Sequence, residues 1–269
     1  MAVLEYMKKT NSVFSEFECH CHTVYEIYLF LSGDCEIKIE GTAYALKPYS
    51  LILMAPNVMH GIQTYSEADY VRCVLYLPVN ELMPERHHVL MNCIPDTKKS
   101  ERPFVIYENT QAFHLEKFYY YLKQLEEYPA KAKEELESIF IEALLAEINL
   151  ICQKLEPSNA FKASNGQITE IIQFINLHLT DSLTLATLSD HFYISKNRLN
   201  SLFKSHLGTT VIEYIRYKRV VMAKQLIMYE GESATNAALR VGFTDYSSFY
   251  RSYIKYLHKS PREDIPVTL

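Results

Sequence analysis

Asn200, Ser201 and Lys204 stand three, four and seven residues after Asn197, and Tyr250, Arg251 and Ile254 stand at the same offsets after Ser247, with Lys255 next. On an α-helix such intervals place side chains on one face. Amides and hydroxyls on such a face can bond the edges of base pairs, an arginine can grip guanine with two parallel bonds, and a bordering lysine can neutralise a phosphate. A second group, His20, His22, Glu26 and His60, offers three imidazoles and a carboxylate, a donor set suited to Fe, Mn, Ni or Zn. His20, His22 and Glu26 share parity, so on one extended strand they point the same way, and His60 can reach them across a small barrel. Tyr28 and Phe30 continue that parity, while Arg72 and Tyr76 fall on a later strand and can add pocket walls or polar anchors. The same histidines can equally serve as hydrogen-bonded structural groups or line a ligand pocket, so His20, His22, Glu26, Tyr28, His60 and Arg72 form a candidate effector set and the first three with His60 a candidate metal set.

The polar faces need helices behind them. Ser195 is suited to cap a helix whose buried stripe is Leu199, Leu202 and Phe203, leaving Asn197, Asn200, Ser201 and Lys204 opposite. A helix over about 210–228 follows, with core positions Val211, Ile215, Val220, Ala223, Leu226 and Ile227 and charges at Arg216, Lys218, Arg219 and Lys224. Ser233 can start the next helix, Val241 to Asp245 turns the chain, and a last helix carries Phe249 and Tyr253 inward. Two short helix pairs joined by one longer helix can set two recognition helices on the same side of a duplex.

The histidines call for strands. From Phe17 to Leu77 short alternating runs are separated by Ser32-Gly33-Asp34, Glu40-Gly41-Thr42 and Lys47-Pro48-Tyr49, the signature of an all-β barrel or sandwich. A last strand is expected at 103–107. The period then changes: Leu136, Ile139, Phe140, Ala143, Leu144, Ile148, Ile151 and Leu155 mark an amphipathic helix, with a shorter helix at 114–125 beside it. That stripe is longer than one barrel face needs and is expected to carry a dimer interface.

Aliphatic, aromatic and cysteine residues make up 48% of the 269 residues and charged residues 22%, which excludes disordered and collagen-like classes. The net charge of −5 hides an asymmetry, because residues 1–164 hold 15 Lys/Arg against 23 Asp/Glu and residues 165–269 hold 12 against 9. A mildly basic second half suits a polyanionic partner. Cys19, Cys21, Cys35, Cys73, Cys93 and Cys152 include no CxxC pair and are expected as free, buried thiols. Neither a membrane-spanning run nor a leader is legible, so a cytoplasmic protein with no membrane partner is expected. GxGxxG, P-loop, GxSxG and HExxH strings are absent, leaving nucleotide cofactors and the common hydrolase routes without motif support.

Leu188, Ser195, Leu199, Leu202-Phe203-Lys204, Gly208, Tyr214, Arg219, Ala223 and Leu226, followed by Ala238, Val241-Gly242-Phe243, Asp245, Ser247, Phe249, Arg251 and Pro261, form a pattern over residues 165–262 that resembles the AraC/XylS transcription regulators. The resemblance implies two recognition helices whose base contacts come from Asn197, Asn200, Ser201, Tyr246, Ser247 and Arg251. The sequence departs from the family pattern at Ala234 and Ala237, where isoleucine is usual, at Ile254, where lysine is usual, and at His258, where glycine is common. His20 to Glu26 followed by Gly33, with Pro56 to His60, resembles the two motifs of the cupin superfamily, the usual sensor half of such regulators.

An α+β multidomain chain is therefore expected: a cupin-like effector-sensing β-barrel over 1–110, a helical dimerisation segment over 111–158, a linker over 159–166 and an all-α double helix-turn-helix domain over 167–269. The expected function is sequence-specific binding of double-stranded DNA by a homodimer responsive to a small-molecule effector, not catalysis. Two rivals stand beside it, a metal-dependent cupin enzyme and a constitutive DNA binder whose barrel only dimerises.

Overall fold

The computed structural model describes residues 3–9, 19–78, 89–95, 103–124, 128–158 and 166–265. All but the last residue of the expected linker lie outside them. The chain divides into two compact units, one made of Met1–Glu18, Val24–Lys38 and Ala43–Ala163, the other of Cys19–Thr23, Ile39–Thr42 and Ser164–Leu269. No helix among the described residues is long and apolar enough to cross a membrane.

Among the described residues eight strands are found in the first region of the chain: β1 (Val3–Lys9), β2 (Tyr25–Ser32), β3 (Cys35–Ile39), β4 (Thr42–Ala45), β5 (Ser50–Met54), β6 (His60–Thr64), β7 (Tyr70–Leu77) and β8 (Phe104–Tyr107). They form a five-stranded sheet in the order β1-β7-β2-β5-β8 and a three-stranded sheet in the order β4-β3-β6. The expected barrel or sandwich is thus built, among the described residues, from two sheets. β1 was not legible as a strand; it pairs antiparallel with β7 from Val3 opposite Tyr76 to Lys9 opposite Tyr70.

Period-two alternation explains the two faces of the large sheet. Ile27, Leu29, Leu51, Leu53, Cys73 and Leu75 pack in one core with Ile141, Leu144, Leu145, Ile148 and Ile151 of a long helix. The other parity brings Glu26 opposite Tyr76, Tyr28 opposite Val74 and Phe30 opposite Arg72. Helix α1 (Lys117–Gln124) precedes that long helix, α2 (Ala130–Lys154). The stripe read as a dimer surface divides between two environments. Leu144, Ile148 and Ile151 are buried against the chain's own sheet, where each contributes about 1.5–3 kcal/mol. Ile139 and Ala143 of the same stripe are exposed, together with Ala146 and Leu150.

Among the described residues of the second unit lie six further α-helices: α3 (Gln167–Leu177), α4 (Leu185–His191), α5 (Lys196–Leu207), α6 (Val211–Glu230), α7 (Ala234–Arg240) and α8 (Tyr246–Leu257). α6 is the shared axis. Its Val220, Ala223, Leu226 and Ile227 pack with Ala237, Ala238, Val241, Phe243, Phe249 and Tyr253. Ala237, where isoleucine was usual, is fully buried in that cluster. Two of the α6 charges are buried: Lys218 pairs with Glu40 of the same unit at 2.9 Å, and Arg219 directs its guanidinium to main-chain carbonyls.

Candidate nucleic-acid interface and effector residues

Helices α5 and α8 are each started by a capping side chain and stopped by a left-handed residue. Ser195 Oγ accepts from Arg198 N at 3.2 Å to begin α5, and Asp245 Oδ1 accepts from Ser248 N at 2.7 Å to begin α8. Bonding from the Ser248 main chain holds the Asp245 carboxyl below its usual range. Both helices run twelve residues and end on a left-handed residue, Gly208 at φ 70° and His258 at φ 57°. The turns before them also need positive φ. In the second pair Gly242 takes it at φ 91°, where a Cβ would meet Thr180 O at 2.7 Å; in the first pair Tyr193 takes it at φ 53°, with its side chain almost wholly exposed.

Leu199, Leu202 and Phe203 point inward from α5, and Phe249 and Tyr253 from α8. Asn197, Ser201 and Lys204 are exposed, as are Tyr246, Ser247 and Arg251. Lys196 and Arg198, which the sequence reading passed over, share the exposed surface of α5. Their position directly after the Ser195 cap was the available signal. Neither helix carries an acidic side chain, so the charge on the outward surface is cationic, and hydroxyls and amides stand beside it, with the exposed Ile254 the aliphatic exception on α8. Lys255 differs in being already engaged, at 2.9 Å from Glu213.

Asn200 is placed differently from its neighbours. It is half-buried, and its Oδ1 accepts the main-chain N–H of Val211, the first residue of α6, at 3.3 Å. That N–H has no partner within its own helix, so the amide ties the recognition helix to the start of the axis helix. In the second repeat the equivalent positions are Tyr250 and Pro261, and proline has no N–H to satisfy. The second helix is thereby released from keeping an acceptor at that position.

Arg219 holds the two pairs in register. Its Nε donates to Leu179 O at 2.8 Å, one terminal nitrogen donates to Gly242 O at 2.8 Å and the other to Asp181 O at 2.5 Å. Leu179 and Asp181 follow α3 at the start of the first pair, and Gly242 is the turn of the second. One side chain from α6 thus binds both.

The effector candidates divide between the units. Glu26 and His60 belong to the first, where His60 Nε2 lies 3.0 Å from Glu26 Oε2 and its Nδ1 donates to Val58 O at 3.0 Å. Both ring nitrogens therefore face acceptors, which favours the imidazolium: burial opposes the charge, but the attraction of Glu26 prevails and raises the His60 pKa. Tyr28 shares that sheet face, bonds Tyr70 through the two hydroxyls, and lies with its ring centroid 5.6 Å from the Arg72 guanidinium carbon. Arg72 Nε is buried with no hydrogen-bond partner among the described residues. His20 and His22 belong to the second unit, their rings edge to face at 4.9 Å. The six cysteines are free thiols, with Cys21, Cys35 and Cys73 buried and the others half-buried.

Comparison with known proteins finds two family models in the chain, an AraC-like ligand binding domain at residues 11–89 and a helix-turn-helix domain at residues 188–264. An HTH-type transcriptional regulator of Staphylococcus aureus is 27% identical over 106 residues, which is 39% of this chain and 14% of that protein. The HTH-type transcriptional activator RhaS of an Enterobacter species is 27% identical over 100 residues, 37% of this chain and 36% of RhaS. The chain thus covers well under two thirds of either relative. Among solved structures, ToxT of Vibrio cholerae bound to an unsaturated fatty acid is similar over 97% of this chain and 94% of that one, at 14% identity and a TM-score of 0.42.

Proposed function

This chain belongs to the AraC/XylS family of transcription regulators, and from that premise we propose that it binds promoter DNA sequence-specifically through α5 and α8. The observation that carries the reading is the pair of capped, twelve-residue helices with acid-free outward surfaces, tied to one axis helix through Arg219. Asn197, Ser201, Ser247 and Arg251 face base edges, Tyr246 flanks them, and Lys204 meets phosphate. Asn200 contributes by fixing the angle between α5 and α6. The protein acts by binding inside the cell, not by turnover.

The first unit senses a small molecule. Its matched family model describes a ligand-binding domain, and one face of its large sheet gathers Glu26, Tyr28 and Arg72 beside His60. Such convergent polar groups in an apolar setting fix a ligand's orientation. Mass spectrometry and elemental analysis of the purified protein test this, because an effector or a bound metal travels with the chain, and Arg72→Ala is expected to lose it.

The working form is a homodimer joined through α2. Ile139, Ala143, Ala146 and Leu150 follow the four-three-four spacing of a coiled-coil seam and are exposed, whereas Leu144, Ile148 and Ile151 are covered by the chain's own sheet. A second copy doubles the DNA-binding units by effective concentration. Light scattering on the wild type and on the variant carrying Ile139→Glu and Leu150→Glu tests the seam: a dimer is expected to become a folded monomer, and a variant that stays dimeric overturns it. Binding itself is tested by enrichment of duplexes from a random-sequence pool on the full chain. A shared motif is expected, and a pool with no enriched sequence overturns the reading.

A further inference from the structure

The two recognition helices differ in the chemistry they present, and we propose that α8 reads the C5-methyl groups of thymines in the major groove through Tyr246, Tyr250 and Ile254. The proposal rests on DNA binding by this unit. Counted from cap to cap, α5 has Lys196, Asn200 and Lys204 where α8 has those three residues. The first helix is cationic and amide-bearing along this line, and the second is aromatic and aliphatic.

The three side chains are 40%, 39% and 41% exposed, which is high for residues of their size on one short helix. Four-residue spacing makes them one continuous strip, and the Tyr246 and Tyr250 ring centroids lie 6.2 Å apart. The strip adjoins the polar contacts. At 100° per residue Ile254 lies only about 20° around the helix from Ser247 and about 60° from Arg251. A surface that presents Ser247 and Arg251 to a groove therefore carries Tyr250 and Ile254 with it.

The groove supplies a match for both chemistries. Thymine alone among the four bases projects a methyl group there, and apolar side chains recognise it by contact, beside guanine edges that suit an arginine. Tyr250 can occupy this line because Pro261 removes the N–H that Asn200 satisfies in the first repeat. The occupant is DNA and not a protein partner on the evidence of continuity: the strip shares one acid-free helix surface with Arg251, and a polyanion fits that surface. α5 thus supplies polar reading and charge, and α8 supplies methyl reading around one arginine.

The test uses the full chain and a duplex enriched from a random-sequence pool. Each thymine is replaced in turn by uracil, which removes only the methyl group, and affinity is read by fluorescence anisotropy. At one or more positions uracil is expected to weaken the wild type about fourfold, the worth of one buried methyl group. That penalty is expected to vanish in Tyr250→Ala or Ile254→Ala and to persist in Lys204→Ala. Ile254→Lys, which installs the residue type α5 carries there, is expected to lose the penalty and steepen the salt dependence. An enriched duplex that tolerates uracil at every position overturns the proposal while leaving DNA binding intact. So does a penalty that persists in both alanine variants, or alanine variants that bind DNA like the wild type yet fail to regulate a reporter, which assigns the strip to a protein. Failure to enrich any duplex overturns DNA recognition itself.

Discussion

Replacing Arg219 by methionine keeps most of the buried stem and deletes the guanidinium, so the change isolates what the three carbonyl bonds contribute. A hydrogen bond from a charged donor is worth about 1.5–3 kcal/mol net, and the carbonyls of Leu179, Asp181 and Gly242 lose their donor together. Since the three bonds share one side chain, the sum is less than additive, and a loss of about 3–5 kcal/mol is expected. Burial also lowers the Arg219 pKa, showing that part of the gain is already spent on desolvation. The assay is urea unfolding followed by amide hydrogen exchange in α3 and α7, the regions the side chain joins. Arg216→Met on the exposed side of α6 serves as the control, with less than about 0.5 kcal/mol expected. A loss below about 1 kcal/mol for Arg219→Met, or an equal loss for Arg216→Met, refutes the idea that this guanidinium holds the two helix pairs together.

Asn200→Ala is expected to cost about 1 kcal/mol of stability by orphaning the Val211 N–H, whereas Asn197→Ala leaves stability unchanged and weakens DNA binding; thermal unfolding and anisotropy read the two separately. Gly242→Ala should destabilise by more than about 2 kcal/mol in urea titrations, because alanine must take φ 91° with its Cβ against Thr180 O. His60→Gln should show pH-dependent damage. The folded His60 pKa is raised, so its pairing with Glu26 stabilises fully below the unfolded value of about 6.5 and is lost as pH rises through the folded value. The penalty is therefore larger at pH 6 than at pH 9, and equal penalties at both would contradict the imidazolium assignment.

Local signals were the most legible. Ser195 and the Leu199, Leu202, Phe203 stripe announced α5, and Phe249 with Tyr253 announced α8, because caps and helical period depend on near neighbours alone. Whatever depended on distant partners was not. Arg219 and Lys218 look like surface charges on a long helix until the carbonyls of Leu179 and Gly242 and the carboxylate of Glu40 are brought to them. α2 bears apolar residues on two faces, and only the sheet beneath it decides that Ile148 is core while Leu150 faces solvent. β1 lacked a clean alternation, and its strand conformation follows from pairing with β7. Asn200 read as a base contact since helical spacing places it on the polar face; the acceptor duty it serves came from Val211, eleven residues on.

DNA recognition is tested most directly by the affinity of the full chain for its enriched duplex between 50 and 200 mM salt. Lys196, Arg198, Lys204 and Arg251 are exposed cations of α5 and α8, whereas Lys255 is set apart by its bond to Glu213. Roughly four displaced counterions per copy give a fall of about 10²-fold over that range for one copy and about 10⁴-fold for a dimer on two half-sites. A specific duplex should keep its advantage over scrambled sequence throughout, since base contacts add to the phosphate contribution. Affinity that ignores salt, or that is equal for specific and scrambled duplexes, would contradict the assignment of these two helices to a DNA groove.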